Sequence, residues 1–286
     1  MRKVVKKVLK WMGFVVAGLL GVALLGFAYI YFASEHELGH QYTAADNAAL
    51  TIPTDALEIA EGRRIAHLAG CMHCHGDNLA GTVVDDIPKL VRLVAPNIST
   101  LLPKYSDAQL ATVLRKGVKP DGKTVLFMPS EMYRHLRDED LARVIAFVRT
   151  KPPVAEGVQE KTQLRPIGRL IIANGDYQLA ARVIESLPAA TGAFDANDPV
   201  SRGRYLTMNF CSECHGQNLE GVPPINAPAL AVAKGYSLEQ FTRLMQEGVG
   251  MGDRQFKLMT PTSRARFTQF TPDEVAAVYA YLQSRS

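Results

Sequence analysis

The longest uninterrupted pattern in the chain is an apolar run, Trp11 to Ser34, that contains no charged residue. In a helix its 24 residues would rise about 36 Å, more than the roughly 30 Å of a bilayer's hydrocarbon core. Arg2, Lys3, Lys6, Lys7 and Lys10 precede the run, Glu35 and Glu37 follow it, and Trp11, Tyr29 and Tyr31 stand near its ends. That polarity predicts a single-pass anchor, residues 11–33, with residues 1–10 in the cytoplasm and the rest of the chain outside. A cleaved signal peptide is the competing reading. Its apolar region would be long, and bulky Tyr31 or Phe32 would stand where cleavage after Ala33 or Ser34 needs a small residue.

Residues 34–52 are polar and alanine-rich without periodicity and read as a tether. Helical periodicity begins near Asp55, where Pro53 precedes and Glu58 follows in a capping-box-like start. It continues through Ile59, Ile65, Ala66 and Leu68 to Gly70, delivering Cys71 at a helix end. A loop with Pro88 and Pro96 follows. Ser106 and Gln109 form a capping box for a second helix ending at Gly117. Asp138, Glu139 and Asp140 place negative charge at the start of a third, which carries Leu141, Val144, Ile145 and Val148 to the Pro152-Pro153 stop. Residues 154–197 hold two short apolar segments, around 166–173 and 180–187, and read as a connector packed against its neighbours. Asp198-Pro199 opens a further helix, Ser237 and Gln240 cap another ending in Gly248-Val249, and Thr271 to Glu274 cap the last, with Val275, Val278, Tyr279 and Leu282. The pattern is all-α, in two units, 53–153 and 198–286.

At 286 residues the length suits about two domains. The net charge of +4 misleads, because without the five amino-terminal cations 27 basic residues face 28 acidic ones. The basic balance belongs to the tail and gives no sign of nucleic-acid binding.

The chemistry is concentrated in Cys71-Met72-His73-Cys74-His75-Gly76 and Cys211-Ser212-Glu213-Cys214-His215-Gly216. Cys-x-x-Cys-His is the attachment signature of c-type haem: two thiols add to the porphyrin's vinyl groups, and the adjacent histidine becomes the proximal iron ligand. The likeness extends over eleven residues, CMHCHGDNLAG and CSECHGQNLEG, at an offset of 140. One structural zinc or a redox dithiol would also use paired cysteines. Zinc does not require the histidine after each pair, and no βαβ pattern surrounds either. Two haem c groups are therefore expected, with proximal ligands His75 and His215 and thioethers at Cys71, Cys74, Cys211 and Cys214. Pro96 either accepts a bond from His75 on the proximal side or merely breaks a loop.

The sixth ligand is sought around Val125–Pro129, where Met128 competes with Met132 and His135. In the second unit Met251 competes with Met259. Tyr105-Ser106 to Gly117-Val118 aligns with Tyr236-Ser237 to Gly248-Val249 at an offset of 131, which carries Met128 onto Met259 and Met132 onto Ser263. The repeat thus selects Met128 and Met259, each closely followed by a proline.

These stretches, with APNIS (95–99), RKGVKPDGK (115–123), MPSEMYRHLRDEDLARVIAFVRTKPPV (128–154) and LMTPTSRARFTQFTPDEVAAVYAYL (258–282), resemble the membrane-anchored di-haem class I c-type cytochromes of proteobacteria. The likeness covers about 53–286 apart from the connector. It implies two tandem cytochrome c domains behind the transmembrane helix, and it places iron ligands at Met128 and Met259. Arg137 departs from the pattern, since relatives usually carry Ser or Thr at that helix cap. The resemblance also implies single-electron transfer between a dehydrogenase or quinol-oxidising complex and a terminal oxidase, on the periplasmic side of a bacterial inner membrane. A dedicated cytochrome subunit of a dehydrogenase complex would use the same chemistry. A di-haem peroxidase-like enzyme would need an open iron position, which methionines at both distal positions argue against.

Overall fold

The computed structural model describes residues 2–43, 45, 49–190 and 194–285. Helix α1, Arg2–Gly39, is long and apolar enough to cross a membrane. It runs past the expected end of the anchor, so the first part of the tether is helical. Ser34 is buried there, and the Arg169 guanidinium bonds Ser34 and Glu35 at 2.8 and 2.7 Å and stacks on Tyr31. Arg182 pairs with Glu37 at 2.8 Å.

The first unit contains α2 (Ala56–Leu68), α3 (Cys71–His75), strands β1 (Thr82–Ile87) and β2 (Val91–Ala95), α4 (Asp107–Lys116), α5 (Ser130–Tyr133) and α6 (Asp138–Arg149). Asp55 caps α2 by accepting from the Leu57 and Glu58 amides, and Ser106 and Gln109 close a reciprocal capping box on α4. Arg137 makes no cap bond to α6; its guanidinium bonds Asp140 and stacks on Phe194. The stretch expected as a loop after Gly81 is instead an antiparallel hairpin, with Thr82 opposite Ala95 and Ile87 opposite Val91. A third short strand, β3 (Gln163–Leu164), pairs on β2. Mixed burial without clean alternation along β1 and β2 explains why period-two reasoning did not find them.

The connector is packed, as expected. After β3 come α7 (Pro166–Ala173) and α8 (Ala180–Ser186). Asn97 Nδ2 donates to Val154 O at 2.7 Å, Thr162 bonds the Val94 backbone, and the Tyr177 hydroxyl donates to Leu126 O at 3.0 Å.

The second unit follows as α9 (Pro199–Phe210), α10 (Ser212–His215), α11 (Leu238–Glu247), α12 (Met259–Ala265) and α13 (Pro272–Ser284). Its hairpin counterpart is reduced to a single bridge, Val222 to Ala227. Each unit crosses its first helix over its last at a glycine. A Cβ at Gly62 would lie 2.0 Å from Arg143 O, and one at Gly203 would lie 1.9 Å from Ala277 O. One continuous core joins the units, including Ile65, Leu68, Tyr133 and Ile145 from the first and Leu206 and Val275 from the second.

The polar contacts across that junction are matched. Arg64 of α2 bonds both carboxylate oxygens of Glu274, at 2.8 and 2.9 Å, at the start of α13. Tyr205 of α9 donates to Asp140 at 2.5 Å at the start of α6. Asp140 and Glu274 correspond in the repeat, and so do Arg64 and Tyr205 when the helices are superposed on their crossing glycines. The two units are therefore related by an approximate two-fold arrangement that a sequence offset does not reveal.

Candidate functional site

Each Cys-x-x-Cys-His motif lies on a short helix at the end of its unit's first long helix. In the first unit Gly70, in the left-handed region at φ 78°, turns the chain between α2 and α3. In the second, Cys211 itself makes the turn between α9 and α10. This is why Gly62 lies nine residues before Cys71 while Gly203 lies eight before Cys211.

His75 Nδ1 lies 2.9 Å from Pro96 O, and His215 Nδ1 lies 2.7 Å from Pro228 O. A carbonyl has no proton to give, so each ring donates from Nδ1 and leaves its Nε2 lone pair for a metal. Such a bond also fixes the ring's orientation. Burial pushes both imidazoles below the usual histidine range, against the opposing effect of the carbonyl bond, and so favours the neutral, metal-binding form.

The rest of the eleven-residue pattern builds that bond. Asn78 and Asn218 accept from the amides two residues on, at 3.1 and 3.2 Å. Leu79 and Leu219 are buried with positive φ, 59° and 63°. Their carbonyls accept from Ile98 and Leu230, drawing in the proline segment. Gly81 and Gly221 donate to the carbonyls of His75 and His215, each at 2.9 Å. A Cβ at either glycine would sit 2.6 Å from the carbonyl of Ala95 or Ala227. Only glycine lets the proline strand come close enough to reach the histidine.

None of the four cysteines is in a disulfide. Burial pushes the Cys71 and Cys211 thiols up to about 12, so in the polypeptide they stay protonated. Among the described residues no three His, Cys, Asp or Glu side chains gather as a metal cluster, which gives the single-zinc reading no support. Two thiols and one neutral, oriented imidazole per unit fit covalent haem.

The methionine candidates separate by environment. Met128, just before α5, and Met259, the first residue of α12, are both partly buried against the core. Met132 is wholly buried within it. Met251 sits in an exposed turn, Met251–Asp253. The His135 ring bonds Gln217 at 3.0 Å.

That last contact is one of several that bring the motifs against each other's units. His67 bonds Ala265 O at 2.7 Å, and Arg266 Nε donates to Leu68 O at 2.8 Å. Sequence reasoning missed Arg266, which is nine-tenths buried between the motifs. Its signal was the repeat itself. The offset is 131 from Met128 to Met259 but 134 from Asp140 to Glu274, so the second unit holds three extra residues before its last helix, and Arg266 lies in that lengthened stretch.

The sequence profile of the cytochrome c family matches residues 59–151 and 200–286. The chain is 29% identical over 258 residues to a fructose dehydrogenase cytochrome subunit from Gluconobacter japonicus, an overlap covering 79% of this chain and 52% of the relative. It is 28% identical over 173 residues to a di-haem cytochrome c-type protein from Cereibacter sphaeroides, covering 55% and 57% respectively. The chain thus spans about half the length of the curated relatives it matches.

Proposed function

Because the chain belongs to the cytochrome c family and carries two haem c groups, we propose that it is a membrane-tethered carrier that passes single electrons between a respiratory donor and an acceptor. In this reading residues 1–33 form the cytoplasmic tail and inner-membrane anchor, 34–52 the tether, 53–153 and 198–286 the two haem domains, and 154–197 the connector. The haem domains lie in the periplasm. Haem supplies one-electron Fe(II)/Fe(III) exchange.

The chain's own residues hold and orient that group. Cys71 and Cys74, and Cys211 and Cys214, form the thioethers, while His75 and His215 ligate through Nε2. Met128 and Met259 supply the sixth ligands, neutral thioethers that favour the reduced iron. The observation that carries this assignment is the matched pair of histidine-to-proline bonds, which leave both Nε2 atoms free in corresponding places. A haem held on both sides by these residues would offer no site for substrate at iron, so in this reading the chain works as an electron carrier and not an enzyme.

Docking of α1 against Arg169 and Arg182 supports a held anchor, one that keeps the haem domains near membrane-bound partners and raises their local concentration. A second reading, a dedicated cytochrome subunit of a dehydrogenase complex, is favoured by the likeness to the fructose dehydrogenase cytochrome subunit. A terminal oxidase or quinol-oxidising complex fits the first reading.

Pyridine haemochrome and intact mass should give two covalent haems per chain, and one in Cys211→Ala/Cys214→Ala. Met128→Ala and Met259→Ala should each remove half of the weak sulfur-to-iron absorption of the oxidised protein. An unchanged spectrum in Met259→Ala would move the ligand to Met251. Affinity capture from detergent-solubilised membranes separates the two readings: a stoichiometric dehydrogenase indicates a subunit, and its absence a free-standing carrier.

A further inference from the structure

Arg266 follows the helix that begins with Met259, and it is placed between the two haem-attachment motifs. Its Nε donates to Leu68 O at 2.8 Å, three residues before Cys71. Its Nη1 donates to Glu213 at 2.9 Å, and Glu213 stands between Cys211 and Cys214. The guanidinium also lies against Gly70, where a Cβ would come within 3.1 Å of its central carbon. One side chain therefore spans from the first motif to the second.

The neutralisation of this charge is incomplete. Arg266 is 9% exposed, and its Nη2 is buried with no hydrogen-bond partner. Glu213, its carboxylate partner, is on the exposed side of the pair and open to solvent screening. The Tyr133 phenol, buried beside the first motif, is held neutral by that burial.

Burying a cation is costly when an apolar residue of similar volume would serve. The core of the first unit beside its motif is closed by apolar side chains, Met132 among them, which is wholly buried. We propose that Arg266 is a shared potential-setting residue, a fixed positive charge between the two motifs that raises the reduction potential of both haems together. Reduction lowers the charge on each iron by one, so a nearby cation favours the reduced state of either. Because the charge is shared, it shifts both haems without widening the gap between them, and electrons exchange readily within the pair. This inference rests on the two motifs as the haem-attachment sites. If that reading failed, covalent haem would be missing, which is scored separately from any potential.

The test is a spectroelectrochemical titration of the detergent-solubilised, full-length holoprotein, with haem stoichiometry measured on the same samples. Arg266→Met removes the charge and keeps an unbranched side chain of similar length. A unit charge at roughly 10 Å in a medium of effective dielectric about 20 changes such an equilibrium about ten-fold. For a one-electron couple that is a fall of about 59 mV in each haem. Arg266→Lys keeps the charge and should leave both potentials near the parent's, even if the protein is less stable. Glu213→Gln removes the neutralising partner and should raise both potentials by a smaller amount. It also carries the test if Arg266→Met does not fold. Two retained haems with unchanged potentials in Arg266→Met would overturn the proposal. So would a fall in only one haem, an equal fall in Arg266→Lys, or no rise in Glu213→Gln.

Discussion

Replacing Gly62 by alanine gives a prediction whose sign depends on the tertiary structure. Within an isolated helix the change should stabilise by about 1 kcal/mol, because glycine is the poorer helix former. In the folded chain the added Cβ would stand 2.0 Å from Arg143 O and 2.4 Å from its carbonyl carbon. A carbon and a carbonyl oxygen tolerate roughly 3.3 Å, so α2 and α6 would have to part by about 1.3 Å. The obstructing atoms are backbone and cannot rotate away. Overpacking by a methylene costs about 1–3 kcal/mol, and a rigid obstacle places this site at the upper end. Subtracting the propensity gain leaves a net loss of about 2 kcal/mol, or a fall in Tm of about 4–8 °C for a protein of this size. Gly203→Ala, at 1.9 Å from Ala277 O, should behave alike. Gly39→Ala, where nothing lies within 4 Å, should not. The assay is thermal and denaturant unfolding of the holoprotein, followed by far-UV circular dichroism and by haem absorbance. A raised or unchanged midpoint in Gly62→Ala would refute the close crossing of the two helices.

Asp140 makes the inter-unit contact dependent on pH. Burial alone would raise its pKa, but bonds from Tyr205, Arg137 and Arg143 outweigh burial and hold it below the usual carboxylate range. Its contribution is therefore complete above the unfolded value near 4 and is lost as the pH falls through the folded value. Tyr205→Phe should cost about 1.5–3 kcal/mol near neutral pH and flatten the acid limb of the stability curve. A curve that shifts down without changing shape would show that Asp140 is not the titrating partner. Arg169→Ala should free residues 34–42 from the connector, seen as faster amide exchange there while both haem spectra stay as in the parent. Unchanged exchange in that segment would show that the arginine does not hold the helix end.

Much of the chain's chemistry was local and could be read without the fold. Two Cys-x-x-Cys-His pentads specify their own helical turns, and Ser106/Gln109, Ser237/Gln240 and Thr271/Glu274 close the expected capping boxes because each bond joins residues three apart. The charge-free run from Trp11 to Ser34 likewise carries its helix in its own composition. The hairpin at 82–95 was hidden because its burial does not alternate cleanly, and the strand that extends it, β3, lies some 70 residues further on. That hairpin also accounts for a change in the repeat. The offset is 140 at the cysteines but 132 at Pro96 and Pro228, and the eight extra residues lie in the strands.

The sequence by itself determined that there are two haem-attachment motifs, which residue types surround them, and which methionines correspond. Each of these depends on neighbours in the chain or on comparing the chain with itself. Only the tertiary structure decided that both prolines receive the histidine bonds, that Arg64 and Tyr205 occupy matching places, and that Arg266 is buried between the motifs. Those contacts join residues up to 210 positions apart. They are set by how two packed units present their helix ends to each other, and no local spacing encodes that.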